Sequence, residues 1–438
     1  MIQQAGTSKG NYEKMFIRSL KEGVVPSTGC TEPIAVAYAA ANCMAHLNSK
    51  DIQKISVSVS HNIMKNAMAV IVPGTGRPGL LVAAAAGAIV GDPTAGLSVI
   101  SKLAGSQLPQ INQLADSGKI STQVAAVEDD LYVEVVISDT TDTVRVCIAG
   151  DHTNIFLIEK NNKAIYSKNR PSPHAVSETK QFLHTVKLKD IWDFALTEPL
   201  ANIVFMRKAA NFNLALAEDG LKNDYGVKVG KSLQKSKLQK GSGLFDQIIS
   251  YTAAASDARM GGSQLPAMSN SGSGNQGITA TIPVCLVAKQ QNSNEEELIR
   301  ALTLSHLTAL YVHAFLPVLS AFCATDSAAM GAAVGSIYLL TGDYQQAVSV
   351  IKNMIGDAAG MVCDGAGCSC AMKVATSTSS MCRAIELATQ GIEIPATNGL
   401  IQEDIDLTIR GLGQLVTNGF GSTDSEILNV MVNYSALK

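Results

Sequence analysis

Charge is scarce in this chain: Asp, Glu, Lys and Arg make up 16% of its 438 residues, where about 25% is ordinary for a soluble protein. The two signs nearly cancel, 34 basic against 37 acidic residues for a net charge of −3. That balance removes the electrostatic grounds for expecting nucleic acid or an anionic membrane as partner. Aromatic residues are few, 5% with a single Trp, so the apolar 46% rests on small side chains that let elements pack closely. Residues 1–15 contain no apolar segment of the kind a secretory leader needs, and the expected location is the reducing cytoplasm. Nine cysteines are there to be read as thiols, ligands or core residues rather than as a disulfide framework.

At roughly 150 residues per domain, the length suits two or three domains or one large two-lobed enzyme. Residues 301–325 carry no Asp, Glu, Lys or Arg, a stretch long enough to cross a bilayer. His306, His313 and Pro317 interrupt it, and no second span accompanies it. It is therefore expected to be a buried core helix ending at Cys323, with no membrane as partner. Residues 55–60 alternate apolar and polar side chains as a half-buried strand does. A second strand is expected over 68–72, Ala-rich helices over 81–90 and 96–104, and further strands over 131–137, 144–148 and 155–159. Six lysines between 222 and 240 read as a solvated loop or helix face. The predicted fold class is α+β, with a smaller β-containing lobe at 50–165. Residues 1–49 and 166–438 form a large, mainly α-helical lobe.

Cys43, Cys147, Cys285 and Cys382 sit singly among apolar neighbours and read as small buried hydrophobes. The other five do not. Cys30 lies in Ser27-Thr28-Gly29-Cys30-Thr31-Glu32-Pro33 before an Ala-rich helical run. Thr31 as cap and Pro33 in the first turn put Cys30 just outside a helix N-terminus, which favours a thiolate near neutral pH; a capping turn with an incidental thiol is the alternative. The longest charge-free stretch, 260–288, holds Ser271-Gly272-Ser273-Gly274-Asn275-Gln276-Gly277. Its glycines and polar side chains suit either a cradle for a carboxylate or phosphate or a flexible linker. Cys363-Asp364-Gly365-Ala366-Gly367-Cys368-Ser369-Cys370, with Cys323 upstream, lacks the paired spacing of structural zinc and leans towards iron–sulfur ligation. Buried free thiols in a Gly-rich turn are the other reading.

Together with Lys65-Asn66-Ala67-Met68 and Val72-Pro73-Gly74-Thr75-Gly76, these motifs run in order from residue 27 to about 373. They resemble the L-cysteine desulfidase family, related to the alpha subunit of iron–sulfur L-serine dehydratase. The resemblance implies a pyridoxal-free lyase with an oxygen-sensitive 4Fe-4S cluster. It matches Cys323, Cys363 and Cys370 to the cluster ligands and Cys30 to the proton acceptor, while Cys368 is extra to the pattern and competes with Cys370. The expected reaction is β-elimination of L-cysteine to pyruvate, ammonia and hydrogen sulfide, with L-serine as the alternative substrate. In that reaction Lys65 or Lys373 would offset carboxylate charge. Thr28, Asn66, Ser271, Gly272, Ser273 and Asn275 are the expected substrate-binding residues. The partner is a small amino acid, and a homo-oligomer is left open. A pyridoxal-phosphate lyase, with the Gly/Ser loop as phosphate cup, and a non-enzymatic iron–sulfur or zinc protein stand as the other classes.

Overall fold

Alternation of apolar and polar residues builds the sheet. In the computed structural model, which describes residues 9–172, 176–235 and 243–436, β1 (Pro26–Ser27) pairs with β8 (Ala267–Met268). The remaining strands are β2 (Lys54–Val59), β3 (Ile120–Val124), β4 (Tyr132–Ser138), β5 (Thr143–Ala149), β6 (Ile155–Lys160) and β7 (Lys163–Ser167). They form one sheet in the order β3-β2-β4-β5-β6-β7, antiparallel throughout except for the β2–β3 pair. Val133, Val135 and Ile137 of β4 share a core with Val144, Val146 and Ile148 of β5. Tyr132 and Cys147 point to the opposite face, as the period of two requires. The edge strands β3 and β7 were not expected: four of five residues in β3 and all five in β7 are exposed. A strand with no buried face carries no alternation to read.

The helices Thr31–His46 and Leu80–Val90 pack on the inner face of this sheet. They meet backbone to backbone, for a Cβ on Gly87 would lie 2.1 Å from the Ala37 carbonyl oxygen. The Thr31–His46 helix thus shares its core with the sheet, although the sequence placed residues 1–49 with the helical lobe. Being buried nearly all round, it shows no stripe that would reveal its partner. A second core joins the helices Leu244–Met260, Gly274–Gln290, Glu295–Ala314, Thr325–Leu340 and Cys370–Thr389. The α+β class is the observed one.

Several expected elements take other forms. The stretch 301–325 is not one helix: Glu295–Ala314 ends before Pro317, which lacks an N–H and disfavours helical backbone at Leu316. Helix resumes only at Thr325. Residues 68–72 make a single bridge, Ile71 to Pro78, because no neighbouring strand is available to pair with them. Residues 96–104 hold one 3-10 turn, Gly96–Ser98, too short a piece to sustain a helix without a packed face. The Leu108–Asp116 helix, with a proline in its first turn, was missed. Lys222, Lys228 and Lys235 are exposed, and Lys228 and Lys231 pair with Asp224; Lys237 and Lys240 lie outside the described residues. Among the described residues no helix is long and apolar enough to cross a membrane.

Candidate active site

Two short pairings bring distant motifs together. The β1–β8 pair, continued by Ser269 N–H to Val25 O at 2.9 Å and Ser271 N–H to Gly23 O at 3.0 Å, lays the Cys30 loop beside the Ser271–Asn275 loop. Thr31 Oγ1 completes the join by donating to Gly272 O at 3.0 Å. The turn into Cys30 depends on Gly29, whose φ of +72 favours glycine and where a Cβ would strike Pro73 at 2.2 Å. Elsewhere, a bridge between Phe322 and Val362 sets Cys323 N–H on Met361 O at 2.9 Å and Cys363 N–H on Ala321 O at 2.6 Å. Cys370 opens the Cys370–Thr389 helix.

These segments enclose a cavity of about 110 Å³. Of the residues singled out in the sequence, Cys30, Asn66, Ser273, Asn275, Cys323, Cys363, Cys370 and Lys373 line it. The irregular stretch 316–320, left by the helix break before Pro317, forms part of its wall. Ser271 and Gly272 instead line an adjoining cavity of about 420 Å³, together with His152 from the turn after β5. Thr28 is buried and lines neither cavity. Lys65 is engaged elsewhere: its ammonium pairs with Asp424 and donates to Cys363 O at 3.1 Å. Lys373 pairs with Asp364. Cys368 turns away from the cavity, its Sγ 3.9 Å from Met260 O, and lies close to Gly226.

Cys30 is the N-cap residue itself, not a residue outside a Thr31 cap, and its side chain makes no capping bond. Its Sγ–H donates to Glu32 Oε2 at 2.8 Å. Burial, and then the Glu32 carboxylate, push this thiol well above its ordinary range. The expected thiolate is therefore absent at rest, because the field of a helix terminus is weaker than desolvation plus a carboxylate in contact. Burial also raises Glu32. The His152 ring and hydrogen bonds from Cys30 and Asn66 outweigh it and hold this carboxyl below the usual range. Asn66 Nδ2 reaches Glu32 Oε1 at 3.0 Å. Burial lifts Cys370 to about 11 and Cys323 higher still, Cys363 adding to both; thiols buried in this way become anions only against a cation or metal. Thr325 Oγ1 lies 3.1 Å from Cys323 Sγ and 2.9 Å from Ser377 Oγ, which donates to the buried Asp326 at 2.7 Å.

Sequence reasoning missed Glu32, Arg259, Gln276 and His313, which also line the cavity. Glu32 stood inside a quoted motif, and Arg259 is the charge that borders the longest charge-free stretch. His313 stood out only as an interruption of the charge-free stretch 301–325, and nothing in the pattern marked His152.

Residues 132–429 match the family described as serine dehydratase alpha chain. Proteins named UPF0597 protein are similar along almost the whole chain. One from Latilactobacillus sakei is 61% identical over 425 residues, covering 96% of this chain and 99% of the relative. Another, from Chromobacterium violaceum, is 46% identical over 421 residues, with 95% and 97% covered. A third, from Photobacterium profundum, is 43% identical over 429 residues, with 97% and 100% covered. The cavity's three candidate ligands and Arg259 fall within the matched segment, while Cys30, Glu32 and Asn66 precede it. With the match spanning more than half of its length, the chain belongs to the serine dehydratase alpha chain family.

Proposed function

We propose that this family member is a cytoplasmic carbon–sulfur lyase that eliminates hydrogen sulfide from L-cysteine, giving pyruvate and ammonia, with a 4Fe-4S cluster held by Cys323, Cys363 and Cys370. The observation that carries the reading is the meeting of these three thiols with Cys30 and Glu32 at one cavity. The donor set fits: thiolates are the soft ligands that iron–sulfur clusters take. Among the described residues no three His, Cys, Asp or Glu side chains form a group that could hold a metal ion; the reading rests on the chemistry of the three thiols that line the cavity. When bound, the cluster supplies a Lewis acid for the leaving sulfur or hydroxyl.

The chain's own groups account for the rest of the chemistry. The hydrogen bond from Cys30 Sγ to Glu32 Oε2 holds one proton between a thiol and an ionised carboxylate. That proton rests on sulfur, because the thiol is raised and the carboxyl lowered; positive charge arriving in the cavity would let it pass to Glu32 and leave a sulfur anion at the wall to take the Cα proton of a bound amino acid. Asn66, hydrogen-bonded to Glu32, keeps that carboxylate in place. Lys65 then acts by position rather than by contact with substrate, tying the carbonyl of Cys363 to the Thr423–Ala436 helix. L-Serine is the second reading, favoured by the family match. Anaerobically prepared protein assayed with both amino acids should form pyruvate from each, with sulfide from L-cysteine at the higher kcat/KM. Pyruvate from L-serine alone would make it a dehydratase, and pyruvate from neither would overturn the lyase reading.

A further inference from the structure

Arg259 is 3% exposed, its Nε has no hydrogen-bond partner, and its Nη1 donates to the Met260 thioether at 3.2 Å, a weak acceptor. Among the described residues no carboxylate forms an ion pair with it. A guanidinium taken out of water without an anion is strongly unfavourable, so the site is built for an anion that binds there. The guanidinium packs closely on Gly274, where a Cβ would stand 2.2 Å from Nε. Gly274 is the first residue of a 17-residue helix whose N-cap, Ser273, offers no side-chain acceptor. First-turn N–H groups of such a helix have no intrahelical partner and favour negative charge. A planar fork and a helix N-terminus therefore meet at one wall of the cavity.

The same cavity holds unused acceptors. Gln276 Oε1 and Asn66 Oδ1 are buried without partners, in side chains 4% and 7% exposed. Glu32 fixes the Asn66 amide: an ionised carboxylate can only accept, so Nδ2 faces it and Oδ1 is left over. We propose that Arg259 and the N-terminus of the Gly274–Gln290 helix bind the substrate's α-carboxylate while Gln276 Oε1 and Asn66 Oδ1 accept from its α-ammonium. The site then selects free α-amino acid zwitterions and rejects their amides and their deaminated analogues. The inference rests on the lyase reading only in taking this cavity as the substrate site. Holding both charged groups fixes Cα between them, where Cys30 can reach its proton.

The test uses anaerobically prepared full-length protein and calorimetric binding of L-serine, which shares both charged groups with L-cysteine and lacks its thiol. Wild type should bind L-serine about 10- to 100-fold more tightly than L-serinamide, the value of a charge-assisted pair. Arg259→Gln should lose that preference and raise KM by a similar factor with iron content unchanged, and Arg259→Lys should recover part of it, a point charge without the fork. Should Arg259→Gln fail to fold, Gln276→Leu serves instead: it should lose preference for L-serine over L-lactate while keeping preference for L-serine over its amide. Iron lost in step with activity in Arg259→Gln would show that the guanidinium serves the cluster thiolates, and would overturn the proposal. Equal binding of L-serine and L-serinamide by a turning-over wild type would sink the anchor and spare the lyase. A clear acid preference in wild type that makes no pyruvate from either amino acid would do the reverse.

Discussion

Cys30 occupies a helix N-terminus, where a thiol ordinarily gives up its proton more readily, yet its Sγ–H is held on Glu32 Oε2. In the proposed reaction the acid–base unit is the pair, and its two members are separable by mutation. Cys30→Ala should keep full iron content while turnover falls by about 10²- to 10⁴-fold, the usual worth of a positioned base. Cys30→Ser should fail nearly as badly, since a hydroxyl is far less acidic than a thiol. Iron and pyruvate measured on the same samples check this, and parallel loss of both would make Cys30 a ligand. Two buried histidines, His306 and His313, contribute to acid sensitivity. His306 is fully buried between Asn270 and Thr281, and burial lowers it to about 3. It is neutral in the folded chain and becomes protonated first in the unfolded one, so its contribution is complete above about pH 6.5 and declines as pH falls towards 3. Asp326 and Asp257, raised by burial to about 7 and about 6, act in the opposite sense. The comparison with His306→Gln isolates the histidine: the stability gap should narrow by about 2 kcal/mol between pH 7 and pH 5, read from urea unfolding. A gap independent of pH would show that His306 does not titrate in this way.

Among the elements, the turn that carries Cys363 is pinned by a contact far from it in sequence. Lys65, 1% exposed, pairs with Asp424 of the Thr423–Ala436 helix while donating to the Cys363 carbonyl. Asp424→Asn leaves a buried ammonium without its anion and should cost about 3 kcal/mol. It should also lower iron retention, because the Cys363 turn loses its anchor. The double variant Lys65→Met/Asp424→Leu should recover most of that stability, as apolar replacement of buried pairs commonly does. A double variant no more stable than the single would show that the pair is not what holds the helix. The sequence revealed β2, β4, β5 and β6, short apolar-rich runs whose buried residues join the core. It hid the exposed β3 and β7, and the packing of a Thr31–His46 helix with no polar stripe. The break before Pro317 was legible in the proline itself, which was weighed only against a membrane span, and the stretch 316–320 lines the site.

At the scale of the whole molecule, two cores meet at the candidate site: the sheet with its Ala-rich helices on one side, the helical bundle on the other. The cysteines were legible because each lies in a compact motif. The contacts that join these motifs were not, because they act across distance in sequence: Asn66 on Glu32 over 34 residues, Thr31 on Gly272 over 241. The same geometry places Cys370 at the cavity and Cys368 away from it, a difference that spacing alone did not show. The most direct test is therefore iron and pyruvate measured together on anaerobic wild type and on Cys323→Ala, Cys363→Ala, Cys370→Ala and Cys368→Ala. Wild type should hold about four irons per chain, the first three variants should lose iron and pyruvate formation in step, and Cys368→Ala should keep both. Full iron content in Cys370→Ala with loss in Cys368→Ala, or active wild type without iron, would contradict the account.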